Sequence, residues 1–153
     1  MRVLVCGERM RGDDGAAPMA VELLPADVRA LAEIAEVGQL SLEALLDVPD
    51  GMAVIVVDAA VGVEPGFVVT LPLEVVAARG GAAAPASSHS LPPDQVLALA
   101  AELRGSLPRG VFVGIGGAGF GIGEGLSGPV AAGLGAFAAT LADEIRLLST
   151  DRP

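Results

Sequence analysis

The residues best suited to chemistry are the adjacent carboxylates Asp13 and Asp14, the carboxylate Asp58, the single histidine His89 and the single cysteine Cys6. Asp14, Asp58 and His89 together would make a mixed oxygen and nitrogen ligand set. Such a set suits a borderline transition ion, whereas imidazole offers no advantage for magnesium or calcium. Three ligands do not close a cage, so the set fits a metal that arrives bound to something else, or a catalytic ion that also holds water. Plainer roles compete. Asp58 could be a turn or cap aspartate, His89 an ordinary loop histidine, and either Asp13 or Asp14 could cap the first helix, a placement worth roughly 0.3–1 kcal/mol. One of the adjacent pair is expected to cap and the other to point into a crevice.

Other chemistries find less support. Cys6 and His89 could form a nucleophilic pair, but a lone cysteine in an apolar run is more often a buried core residue. Ser87, Ser88 and Ser90 are too close in sequence to His89 to reach a triad geometry with its ring. Gly114-Ile115-Gly116-Gly117-Ala118-Gly119 matches G-x-G-x-x-G after a strand. No further strand follows it, so the unit that would complete a dinucleotide site is missing, and the glycines read as a flexible cleft wall or a long turn.

Composition removes whole classes. The chain has 153 residues, no lysine and a formal charge of −10. Without lysine there is no Walker A loop, Schiff base or lysine nucleophile. Without a basic stripe, Trp or Tyr, nucleic acid is not an expected partner. One cysteine cannot form an internal disulfide. The apolar runs are strand-length, well short of the ~20 residues of a bilayer span, and the opening Met1 to Gly7 lacks a secretory h-region. A cytoplasmic protein with no membrane association is expected.

The elements that must position these residues follow from apolar periodicity. Arg2 to Cys6 and Leu31 to Val37 read as strands, and Met52 to Asp58 is a continuous apolar run ending at the aspartate, as in a parallel sheet covered on both faces. Phe67 to Leu71 reads as a hairpin or edge strand ended by Pro72, and Gly110 to Ile115 as the last strand. Helices are expected from about Gly15 to Leu24, in a short segment after Ser41, from Pro92 or Pro93 through Leu103, and from Ser127 to Leu148. Residues 79 to 88 read as a loop rich in Gly, Ala, Pro and Ser. The order predicts one domain over residues 1–149, with a frayed tail at 150–153. Its class is α/β, a three-layer α/β/α sandwich with a mostly parallel twisted sheet of about five strands, as in phosphorylase- and hydrolase-like folds. If the first and third strands are neighbours where the strand order reverses, Asp14 and Asp58 share the crevice in which such sheets collect ligands.

In this order of motifs the chain resembles the hydrogenase maturation endopeptidases. Met1 to Gly7 is similar to their first strand, Arg11-Gly12-Asp13-Asp14-Gly15 to their R-x-D-[DE]-G segment, and Val54 to Ala59 to their third strand. Glu64-Pro65-Gly66, Ser87-Ser88-His89-Ser90-Leu91, Val113-Gly114-Ile115 and Gly125-Leu126-Ser127 follow in register with later family segments. The resemblance implies that Asp14, Asp58 and His89 are both the metal-recognising and the catalytic residues of an aspartyl-type peptidase. It further implies a substrate, the large-subunit precursor of a nickel-iron hydrogenase, whose C-terminal extension is removed after nickel insertion. The nickel would belong to the substrate, and the enzyme would act as a monomer or weak homodimer. One segment departs: where the family has G-x-G-N-x-L, this chain has the shorter Gly7-Glu8-Arg9-Met10-Arg11. The alternative is therefore an inactive homologue, a docking or maturation chaperone module for a nickel-bearing partner.

Overall fold

A computed structural model describes residues 1–80 and 91–151. Strand β1 (Arg2–Cys6) leads through a 3-10 turn at Gly12–Gly15 into helix α1 (Ala16–Glu22), followed by the single turn α2 (Ala26–Arg29). Next come strand β2 (Glu33–Gly38), helix α3 (Leu42–Leu46) and strand β3 (Val54–Ala60). Strand β4 (Val68–Pro72) runs directly into helix α4 (Leu73–Gly80), and helix α5 (Pro93–Arg104), strand β5 (Gly110–Gly116) and helix α6 (Gly128–Thr150) complete the chain. The sheet order is β2-β1-β3-β5-β4, parallel except for β4, which pairs antiparallel with β5. This is the expected three-layer α/β/α sandwich with a five-stranded, mostly parallel sheet.

Alternation along the strands divides the core into two faces. Val3, Val5, Ile55, Val57, Val113 and Ile115 face α1, α2 and α6, where they meet Phe137, Leu141 and Ile145. Leu4, Cys6, Val54, Val56 and Phe112 face α3, α4 and α5, where they meet Leu45, Leu73 and Leu97. The inner strands are apolar on both faces because both are covered. Helix α6 begins with Pro129 in its first turn and buries Val130, Phe137, Leu141, Ile145 and Leu148 along one stripe. Burying a side chain as large as Phe137 contributes about 1.5–3 kcal/mol.

Several sequence expectations need correction. Of the two expectations for the strand after Gly66, the hairpin with β3 is not formed and the edge strand is: β4, starting at Val68, crosses to the far side of β5, where Pro72 costs no ladder bond. Asp58 is not the last residue of β3: pairing with the long β5 carries the strand on, with Asp58 opposite Gly114 and Ala60 opposite Gly116. Arg79 and Gly80, expected in a loop, instead end α4, and the rest of that expectation, 81–88, lies outside the described residues. Helix α4 itself buries Leu73, Val76 and Ala77, a pattern of only two turns that follows a strand without a break. The second strand starts at Glu33, later than Leu31, and is an edge strand that leaves Glu33 and Glu36 exposed. Helix α6 continues through Thr150, and the Asp151 N–H donates to the Leu147 carbonyl.

Candidate functional site

Strand β1 lies between β2 and β3, and the connections leave it in opposite directions, so the order reverses between β1 and β3. On the β1 side the β3 ladder ends at Val5 opposite Val57. Asp58 is therefore the first residue of β3 beyond β1's pairing. Alternation turns it toward the α3, α4 and α5 face, the face that also holds Cys6, Val54 and Val56.

Asp14 reaches the same place from the 3-10 turn after β1. Two features fix it. The Glu8 N–H donates to Asp14 Oδ2 at 2.8 Å, and the Asp14 backbone packs against Gly7, whose φ is +109°. A Cβ on Gly7 would stand 1.9 Å from the Asp14 carbonyl oxygen, so only glycine permits this approach. The short segment from Gly7 to Arg11 thus still delivers a main-chain donor to the carboxylate.

Asp14 and Asp58 line two clefts together. One, of about 520 Å³, is apolar along Val61, Val69, Leu71, Phe112 and Phe120. The other, of about 420 Å³, is polar and includes Glu8, Arg11 and Gln39. Both also touch Pro92 and Pro93 at the start of α5. Burial, and then the neighbouring charge of Asp14, push the Asp58 carboxyl up to about 7, partly offset by the Ala59 amide. A raised Asp58 carboxyl beside a second carboxylate is an arrangement that favours holding a cation.

Asp13 does something the sequence did not suggest. It is fully buried, and instead of capping the first helix it clasps the far end of the chain. The amides of Ala118 and Gly119 donate to its Oδ2 at 2.7 and 3.0 Å; the Ser127 N–H donates to Oδ1 at 2.7 Å and the Ser127 hydroxyl to Oδ2 at 2.8 Å. Its own N–H donates to the Gly119 carbonyl. Burial opposes its ionisation, but these four bonds outweigh burial and hold the carboxyl below the usual carboxylate range. Asp13 therefore anchors the glycine-rich segment that carries Phe120 to the turn that carries Asp14. It also takes up the amides of Ala118 and Gly119 within the G-x-G-x-x-G sequence, leaving those two donors no free role toward a dinucleotide phosphate.

Cys6 is buried, and its thiol is pushed far above its ordinary range by burial first and then by Asp58 and Asp14. It is held protonated, the opposite of an activated nucleophile. His89 lies outside the described residues; Leu91, two positions on, lines the polar cleft with Asp14 and Asp58. Among the described residues no group of three His, Cys, Asp or Glu side chains forms a metal site. The carboxylate pair is thus the part of the predicted trio that the described residues bring together. No helix among them is long and apolar enough to cross a membrane.

No family model matches the chain, and no curated protein matches it either. Solved structures do. The hydrogenase maturating endopeptidase HybD from E. coli is 24% identical, with 96% of this chain and 92% of that one covered and a TM-score of 0.73. The [NiFe] hydrogenase maturation protease HybD from Thermococcus kodakarensis is 23% identical, with coverage of 93% and 96% and a TM-score of 0.67. The HycI protease from the same organism is 21% identical, covers 95% and 91%, and has a TM-score of 0.62. The fold is the one these maturation proteases share, over nearly the full length of each chain.

Proposed function

We propose that this chain is a processing endopeptidase of the hydrogenase maturation type, which removes the C-terminal extension of a nickel-iron hydrogenase large-subunit precursor after nickel insertion. The observation that carries the reading is the placement of Asp14 and Asp58 on one crevice at the β1–β3 reversal, in the fold of the maturation proteases. The nickel is part of the substrate. Two carboxylates, with His89 proposed as the third ligand, suit a borderline ion that already has ligands of its own. Docking of that ion would bring the bond to be cut into the crevice, so that positioning supplies much of the rate. In the cleavage step a water oxygen attacks the carbonyl carbon, a carboxylate takes the water's proton, and the proton passes to the amine as the C–N bond breaks.

A docking module that binds the nickel-bearing precursor without cutting it is the second reading, favoured by the missing Gly and Asn of the first loop. The Glu8 amide still holds Asp14 in place, as both readings require. The deciding experiment is mass spectrometry of nickel-loaded and nickel-free precursor incubated with the wild-type chain or Asp58→Asn. Release of a C-terminal peptide from the nickel-loaded precursor by wild type alone supports the peptidase; a stable complex with no cleavage favours the docking module.

A further inference from the structure

The two clefts beside Asp14 and Asp58 differ in character, and the carboxylate pair is where they join. A chain crossing that junction would leave one flank on an apolar surface and the other on a polar one. The apolar cleft has a floor of Phe112 and Leu71 and walls of Val69, Val61 and Phe120. Its volume of about 520 Å³ lies within the roughly 300–1,000 Å³ of pockets that enclose small ligands. The cleft is built from fixed elements. Val69 and Leu71 project from β4, which is paired along β5, and Phe112 stands on β5 opposite Leu71. Phe120 packs over Gly117, where an added Cβ would meet its ring at 2.5 Å, on the segment that Asp13 holds. Val61 is 86% exposed at the rim, an apolar side chain left without cover beside a carboxylate site.

Resting on the peptidase reading above, we infer that Val61, Val69, Leu71, Phe112 and Phe120 form a specificity pocket that seats an aliphatic side chain of the substrate on one side of the bond cut at Asp14 and Asp58. The occupant is a segment of the precursor's own chain, because the pocket is continuous with the carboxylate pair, and an aliphatic side chain suits it because most of its lining is apolar, with Arg79 and Asp94 as its charged members beside the pair itself. A charged side chain seated on Phe112 and Leu71 would have to shed its water against apolar surface. Val69 and Val61 select the substrate without taking part in the proton transfers.

The test uses the full-length chain and nickel-loaded precursor carrying a photo-reactive leucine at single positions on either side of the cleavage site. Adducts are expected from one side only, mapping by mass spectrometry to Val61, Val69, Leu71 or Phe120. Val69→Glu is expected to lower kcat/KM at least about tenfold toward an aliphatic residue at that substrate position. Replacing that substrate residue with lysine should restore cutting by Val69→Glu while impairing cutting by wild type, an exchange that a folding defect in Val69→Glu would not produce. Val61→Glu, at an exposed position, should shift preference the same way. Cleavage with adducts only outside the cleft overturns the pocket and leaves the peptidase reading standing. Adducts in the cleft without cleavage uphold the pocket and remove the peptidase. Absence of both, or Val69→Glu cutting the natural precursor like wild type, overturns the pocket.

Discussion

The Asp13 carboxylate receives both the N–H and the hydroxyl of Ser127, a residue 114 positions away. The contact joins the first loop to the start of α6, with the amides of Ala118 and Gly119 completing the set. Neighbouring side chains at 13 and 14 therefore divide the labour: one binds the protein to itself and the other faces the crevice.

Asp13→Ala should destabilise the chain by on the order of 3 kcal/mol, since it leaves several inward-facing donors without an acceptor. The sign of the pH effect follows from the lowered carboxyl. A group whose folded pKa lies below its unfolded value of about 4 adds stability above that value and loses it as pH falls through the folded pKa. Denaturant titrations of wild type and Asp13→Asn should thus differ at pH 7 and converge as the pH is lowered below 4. A constant gap across that range would rule out the ionised clasp.

Asp58 has the opposite sign. Its carboxyl is raised to about 7 in the folded chain, so the native state holds the proton more tightly than the unfolded state does. Stability should fall as pH rises from about 4 through 7 and then level off. Asp58→Asn should remove that loss and leave the variant more stable than wild type by roughly 2–4 kcal/mol at pH 8, at about 1.4 kcal/mol per pKa unit. The same variant should not cut precursor, the exchange of stability for function expected of a site residue. Equal stability of the two proteins at pH 8 would show that burial and the neighbouring Asp14 charge do not raise the Asp58 carboxyl.

What could be read from the sequence follows from how far apart the cooperating residues lie. The runs Arg2 to Cys6 and Val54 to Val57 declare themselves as buried strands, and once they are neighbours, Asp14 and Asp58 follow from the rule for ligands at the carboxyl ends of parallel strands. The 3.6-residue stripe of α6 is equally plain. The clasp is not, because the partners of Asp13 lie over a hundred residues downstream and no periodicity links a carboxylate to distant amides. The partner of β4 was hidden for the same reason: an edge strand was one of the two expectations, but proximity in sequence pointed to pairing with β3, while the partner is β5. Phe120 gave no signal as a cleft wall because a single aromatic among glycines has no period to place it.

Gly7→Ala should damage both stability and function. The residue occupies φ +109°, and the added Cβ would overlap the Asp14 carbonyl oxygen. Relief requires moving the turn that carries Asp14, at a cost on the order of 3 kcal/mol. At this chain length that corresponds to a drop in Tm of roughly 6–12 °C. Calorimetry checks the first part and precursor cleavage the second. A variant with wild-type Tm and full cleavage would mean that the contact between Gly7 and Asp14 does not position the carboxylate.

Cys6 separates carboxylate chemistry from thiol chemistry at the same crevice. It sits in the core beneath Asp14 and Asp58, buried and held protonated. Iodoacetamide should leave the native chain unlabelled at pH 8 and label it fully once denaturant exposes the thiol, because the thiolate is the reactive form. Cys6→Ala removes one sulfur from a packed site, at a cost of about 1 kcal/mol, and should leave precursor cleavage within about twofold of wild type, since a thiol that does not ionise carries no step. A variant that folds and melts like wild type but no longer cuts would restore the cysteine as nucleophile and demote Asp14 and Asp58 to the groups that orient it.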